Sequence, residues 1–153
     1  FYKQERIGKG GKPFFIYKFR SMKVDAEKNG PILLEVNGDK RLTKVGKFLR
    51  EHHLDELPQL WNVLCGDMAF IGPRPERKFY IDKIMEHDPS LLISIKYVRG
   101  DLDATLYNGY TDTMEKMLRR LELDLYYLEH RSWWLDIKIL AKTFTNIILG
   151  KKF

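Results

Sequence analysis

Cysteine is nearly absent from this sequence. Cys65 stands alone, which excludes an internal disulfide framework and fits a reducing compartment. Its place in the run Trp61 to Gly66 reads as a buried apolar filler rather than a reactive thiol. No run of about eighteen apolar residues occurs, so nothing in this sequence is long enough to cross a bilayer as a helix, and no secretory or transit signature is present. Repeats and low-complexity tracts are missing as well. Negative charge is in deficit: 21 acidic residues face 27 Lys and Arg, a net charge of +6 with a pI near 9.3. That balance points to an anionic partner, and by itself leaves nucleic acid, a membrane surface and a phosphorylated substrate open.

What is present supports one domain with a real core over residues 1–153, since 44% of the chain is hydrophobic and 13% aromatic. The runs Phe1 to Ile7 and Pro13 to Arg20 are β-prone and separated by Gly8-Lys9-Gly10-Gly11-Lys12, which predicts a hairpin with a basic tip. The tip lacks the spacing and the closing Lys-Ser/Thr of a phosphate-binding loop, so its glycines serve the turn. Residues 23–41 read as a polar excursion and a candidate flap. Thr43 is the expected N-cap of a helix over residues 44–52. Further helices are expected from Glu76 to about Glu86, from Asp112 to Glu129, and over Ser132 to Leu149. The last of these has apolar residues on more than one face. Trp133 and Trp134 beside lysines suit a membrane interface, and a helix closing the core is the plainer reading. Residues 87–111 show no clean period, and Leu91 to Tyr97 fits strand or helix equally. The expected class is α+β: a predominantly helical single domain with an N-terminal β-hairpin and amphipathic C-terminal helices.

The informative stretch is residues 49–75. Pro58 is tolerated in a first helical turn and Gly66 suits a helix end, which predicts a helix from Pro58 to Gly66 with Asp55 and Glu56 at its entrance. An N-cap aspartate bonds the amide three residues on; here that residue is Pro58, which has no N–H, so capping explains Asp55 poorly. Asp67-Met68-Ala69-Phe70-Ile71 reads as an extended piece, and Gly72-Pro73-Arg74-Pro75 as a stiff turn that fixes Arg74 between two prolines. His52 and His53 have no companions at metal-ligand spacing and read as structural, while Asp67 reads as a cap for the next turn.

Three blocks, in this order and spacing, resemble the bacterial sugar transferase family, the monotopic phosphoglycosyl transferases. They are Gln4-Glu5-Arg6-Ile7-Gly8 with Tyr17-Lys18-Phe19-Arg20-Ser21-Met22; Leu49-Arg50 with Leu54 to Leu64; and Gly66-Asp67-Met68 with Gly72-Pro73-Arg74-Pro75. Tyr127, Ser132 and Asp136 to Thr143 resemble the family's C-terminal block more loosely. The segment Tyr97 to Tyr110 departs from the family's pattern. The family carries a membrane-embedded helix before the hairpin, and this sequence begins after it. The resemblance therefore implies an N-terminally truncated catalytic domain, soluble by itself, from a protein at the cytoplasmic face of a bacterial inner membrane.

The resemblance also implies the chemistry: transfer of a phosphosugar from a nucleotide diphosphate sugar, UDP being expected, to polyprenol phosphate, initiating lipid-linked glycan or exopolysaccharide assembly. Asp55 matches the family's nucleophile, and Glu56 matches the residue that helps hold Mg2+. Arg20, Arg50 and Arg74 are expected on substrate phosphates, because a guanidinium binds two oxygens at once; Arg50 is placed on the polyprenol phosphate or transferred phosphoryl and Arg74 on the nucleotide side. Two adjacent carboxylates repel, and a nearby cation is needed to keep the nucleophile ionised. The alternative is a non-catalytic, nucleotide-sugar-binding or membrane-peripheral module. A nucleic-acid-binding domain would account for the charge but not for the Leu-Asp-Glu-Leu-Pro-Gln-Leu and Gly-Pro-Arg-Pro blocks.

Overall fold

The computed structural model describes residues 1–28, 30, 39–90, 100–104 and 113–149, with 100–104 and 146–149 described by their backbone alone. The fold is α+β and mainly helical, as expected. Strands β1 (Tyr2–Ile7) and β2 (Pro13–Lys18) pair antiparallel with Ile7 opposite Pro13 and Tyr2 opposite Lys18. Their tip is a single tight turn over Lys9–Gly11, in which Gly10 and Gly11 take φ of 69° and 78°, a region that side chains disfavour.

Helix α1 (Lys44–Glu51) starts where expected: Thr43 Oγ1 accepts from the Gly46 amide at 2.8 Å. The helix lies so close to the chain leaving β2 that a Cβ on Gly46 would fall 1.8 Å from the Ser21 carbonyl oxygen. Thr43 anchors the same carbonyl through its amide at 3.1 Å. Because the obstacle is backbone, Gly46→Ala is expected to cost about 3 kcal/mol despite alanine's better helix propensity, read as a fall in Tm; an unchanged or raised Tm would refute the close approach.

A short helical turn (Leu54–Glu56) leads into α2 (Gln59–Leu64), and Gly66 closes it at φ 82°. The helix is therefore shorter than the predicted Pro58 to Gly66, and Asp55 and Glu56 sit inside the preceding turn, not at a solvated entrance. Strand β3 (Ala69–Ile71) pairs in parallel with β4 (Gly100–Ala104). Helix α3 (Lys78–His87) begins two residues later than expected, and α4 (Met114–His130) and α5 (Trp133–Leu149) follow. The predicted flap falls partly, and Leu91 to Tyr97 wholly, outside the described residues.

Two apolar clusters hold these pieces. Tyr80, Ile81 and Ile84 of α3 pack on Met117 and Leu121 of α4, with Ile7 of the hairpin against them. Tyr127 and Ile139 form a second cluster that takes in Ile71 of β3 and Leu135 of α5. The Tyr127 hydroxyl donates to Asp136 Oδ1 at 2.8 Å, tying α4 to α5; burial and this bond push Tyr127 up to about 12.

Between hairpin, turn and α4 lies a buried charge junction. Glu76 accepts from Arg6 at 3.0 Å and from Arg120, while Arg6 also donates to the Pro75 carbonyl at 3.1 Å. Burial alone would raise the Glu76 carboxyl; Arg120 and Arg6 outweigh it and hold it at about 2 against an ordinary 4.5. The folded value lies below the unfolded one, so its contribution is complete above pH 4.5 and is lost as pH falls towards 2. The linked stabilisation is on the order of 3 kcal/mol. Acid denaturation should steepen in that window, and Glu76→Gln, less stable at neutral pH, should lack this component; equal acid slopes in both proteins would refute it.

Candidate active site

The segment from Leu54 to Leu64 is inverted with respect to an ordinary amphipathic helix. Its buried residues are polar, Asp55, Glu56, Gln59 and Asn62, while Leu57, Leu60, Trp61 and Leu64 are exposed. The spacing of three and four residues puts the four polar side chains on one inward face. Asn62, with no exposed surface, joins that face to the hairpin: its Nδ2 donates to the Phe15 carbonyl at 2.7 Å, and its Oδ1 accepts from the Tyr17 amide at 3.2 Å. At the other end, the Phe19 amide donates to the Asp55 carbonyl at 2.8 Å. Strand β2 and the acidic turn are thus locked side by side, which brings Lys18 to Glu56.

Cys65 belongs to the outward face and is exposed, which corrects the expectation of a buried filler. Because polar side chains occupy the inward face, the apolar end of α2 is left outside.

The two adjacent carboxylates meet different surroundings. Glu56 Oε1 accepts from both Lys18 Nζ and, at 2.9 Å, Arg74 Nη2. Burial works to raise its carboxyl, but Arg74 and Lys18 outweigh burial and hold Glu56 well below the usual carboxylate range. Asp55 has the Arg50 Nε at 3.7 Å, beyond a good hydrogen bond, while that same Nε donates to Ser21 Oγ at 2.9 Å. Burial and the Glu56 charge push Asp55 up, against the pull of Lys18, Arg50 and His53. One carboxylate is clamped and firmly ionised; its neighbour is loosely held and more basic.

His53 bends the chain into the turn with φ 54°, an uncommon left-handed conformation for a side chain of this size. His52 is exposed and its ring lies tilted against that of Phe48 with centroids 4.4 Å apart, in keeping with a structural role. Asp67 accepts weakly from Asn62 Nδ2 at 3.4 Å, and its amide closes the end of α2 on the Asn62 carbonyl.

Of the site residues read from the sequence, Asp55, Glu56, Arg50 and Arg74 converge. Arg20 does not join them among the described contacts: it is exposed and lies over the Tyr2 ring at 5.5 Å. Lys18 and Ser21 were missed. For Lys18 a signal existed, since strand parity places it on the same face as Ile16, which is buried. Ser21 had none, because its burial depends on the approach of α1.

A divalent cation has one natural foothold. Glu56 Oε2 is buried and has no hydrogen-bond partner among the described residues, while Oε1 carries both cations. No group of three or more His, Cys, Asp or Glu side chains that could hold a metal occurs among the described residues. Magnesium commonly takes one or two protein carboxylates and completes its shell with water and substrate phosphate, and this donor set fits that pattern.

Fold and site define a small α+β domain that presents a split carboxylate pair under lysine and arginine. The chain belongs to the bacterial sugar transferase family, whose model matches residues 1–150. It is 40% identical over 149 residues to an Aeromonas hydrophila protein named UDP-N-acetylgalactosamine-undecaprenyl-phosphate N-acetylgalactosaminephosphotransferase, covering 96% of this chain and 35% of that one. To a Klebsiella pneumoniae UDP-glucose:undecaprenyl-phosphate glucose-1-phosphate transferase it is 41% identical over 153 residues, covering 98% and 33%. A putative undecaprenyl-phosphate N-acetylgalactosaminyl 1-phosphate transferase of Bacillus subtilis is 56% identical over 88 residues, 58% of this chain and 49% of that protein. The chain thus spans between a third and a half of the length of these relatives.

Proposed function

We propose that this domain transfers a phosphosugar from a UDP-sugar to a polyprenol phosphate through a covalent intermediate on Asp55. The observation that carries this is the split of the acidic pair. Adjacent carboxylates whose environments push them in opposite directions can take different roles, the more basic one as nucleophile and the firmly ionised one as charge anchor. The names of the relatives supply the substrate class.

In the first step an Asp55 oxygen bonds to the sugar-proximal phosphorus as the bond to the bridging oxygen breaks, and UMP leaves with that oxygen. In the second, an oxygen of polyprenol phosphate attacks the same phosphorus, the acyl phosphate bond breaks, and the Asp55 carboxylate is restored. No net proton is gained or lost by the enzyme. Glu56 would hold Mg2+ through Oε2, and the ion would neutralise charge on the diphosphate. Arg50, held by Ser21, would contact the transferred phosphoryl, and Arg74, which donates to Glu56, would contact the nucleotide side.

The proposed site of action is a membrane surface. Among the described residues no helix is long and apolar enough to cross a membrane. Trp133, Trp134, Ile137, Leu140 and Phe144 of α5 are exposed, although Ile139 on the same helix is buried, so the core-closing reading accounts for one face only. The exposed apolar face of α5 and that of α2 would seat the domain against lipid headgroups.

The reading is tested by incubating the protein with UDP-glucose or UDP-N-acetylgalactosamine, Mg2+ and undecaprenyl phosphate in detergent. UMP release, with a phosphosugar adduct in the intact mass when acceptor is omitted, is the expected result. Binding of UDP-sugar without UMP or adduct would favour the non-catalytic alternative.

A further inference from the structure

The inward polar face that carries the acidic pair contains one more group with nothing to do. Gln59 is 3% exposed, and its Nε2 has no hydrogen-bond partner among the described residues. Leaving a buried amide N–H unsatisfied is costly, and native proteins tolerate it where something else completes it. Asn62, three residues further along the same face, shows the contrast: its amide is fully engaged with Phe15, Tyr17 and Asp67. Gln59 follows Asp55 by four residues and Glu56 by three, so one helical turn separates it from both carboxylates.

We propose that the Gln59 side-chain amide is a further substrate contact, donating Nε2–H to a non-bridging oxygen of the phosphoryl group that is transferred. This rests on the phosphoglycosyl-transfer reading above. The chemistry suits the position. Lys18, Arg50 and Arg74 already address the two carboxylates, and another cation here would pair with Asp55 or Glu56. A neutral amide grips a phosphate oxygen without drawing the Asp55 carboxylate away from phosphorus. Together with the unpartnered Glu56 Oε2 it makes a complementary pair on one face: an acceptor for a metal ion and a donor for the phosphate that accompanies it.

The test separates this role from a structural one and from the reading it rests on. Gln59→Met keeps the length of the side chain and removes the unsatisfied donor. In an Asp55→Asn background, which prevents turnover, calorimetry with Mg2+ compares UDP, which has the second phosphate, with UMP, which lacks it. The expected result is UDP affinity lowered about 10- to 100-fold by Gln59→Met, UMP affinity unchanged, and Tm equal to or above that of the parent. Equal weakening of both ligands would move the contact to the nucleotide and overturn the proposal. So would unchanged UDP binding, or a fall in Tm with binding that follows the folded fraction. If the parent protein binds neither ligand, the nucleotide-sugar reading itself fails and the proposal falls with it.

Discussion

Asp55→Asn is expected to lower UMP release from a UDP-sugar by about 10^3-fold or more, and to remove the phosphosugar adduct from the intact mass. Asparagine has nearly the same shape, and its amide cannot form the acyl phosphate under these conditions. The structure adds a second expectation. Burial and the Glu56 charge oppose ionisation of Asp55, so a neutral replacement removes an unfavourable charge. Tm should therefore stay level or rise while activity disappears. That combination marks a residue kept for chemistry, in the sense that the site sacrifices stability for function. Persistence of the adduct at the parent level would rule out Asp55 as nucleophile, and a large drop in Tm would mean that its carboxylate is a structural group.

Glu56→Gln should behave in the opposite way. Its buried carboxylate answers two partly buried cations, Lys18 and Arg74, and removing one partner of a buried charge group costs about 3–5 kcal/mol because the remaining charges lose their compensation. Urea unfolding of the variant should shift to a markedly lower midpoint, with the slope unchanged. Adding Lys18→Met to Glu56→Gln should restore part of the loss, because the orphaned ammonium goes with it, and the non-additivity of the double-mutant cycle measures the pair. If Glu56 also holds Mg2+, the Mg2+ dependence of UDP binding should weaken beyond what the folded fraction explains. A Glu56→Gln protein as stable as its parent would contradict the clamp.

The contrast between these two substitutions rests on neighbours that no local pattern shows. Asp55 and Glu56 are consecutive, and from the sequence both were acidic residues at a helix start. Propensity and punctuation located them well: Thr43 capped its helix, Gly66 closed the next, and the proline-rich turn delivered Arg74. What local rules missed was the inversion of α2. Its place in the run Trp61 to Gly66 made Cys65 read as a buried filler, because an apolar stripe usually faces inward. The inward side is polar instead, because Asn62 completes the hydrogen bonds of β2 and the carboxylates face cations supplied by the hairpin, α1 and the proline turn.

The sequence alone determined the α+β class, the hairpin, most helix positions, and the blocks that place the chain in its family, since these depend on turn chemistry, caps, periodicity and local residue order. Only the tertiary structure decided which of the two carboxylates is clamped, that Lys18 meets Glu56 and Ser21 meets Arg50 while Arg20 lies over Tyr2, and that Gln59 is buried with no partner for its Nε2 among the described residues. Those outcomes depend on which groups from distant segments share a low-dielectric interior, where a few ångströms of separation set charge, basicity and hydrogen bonding.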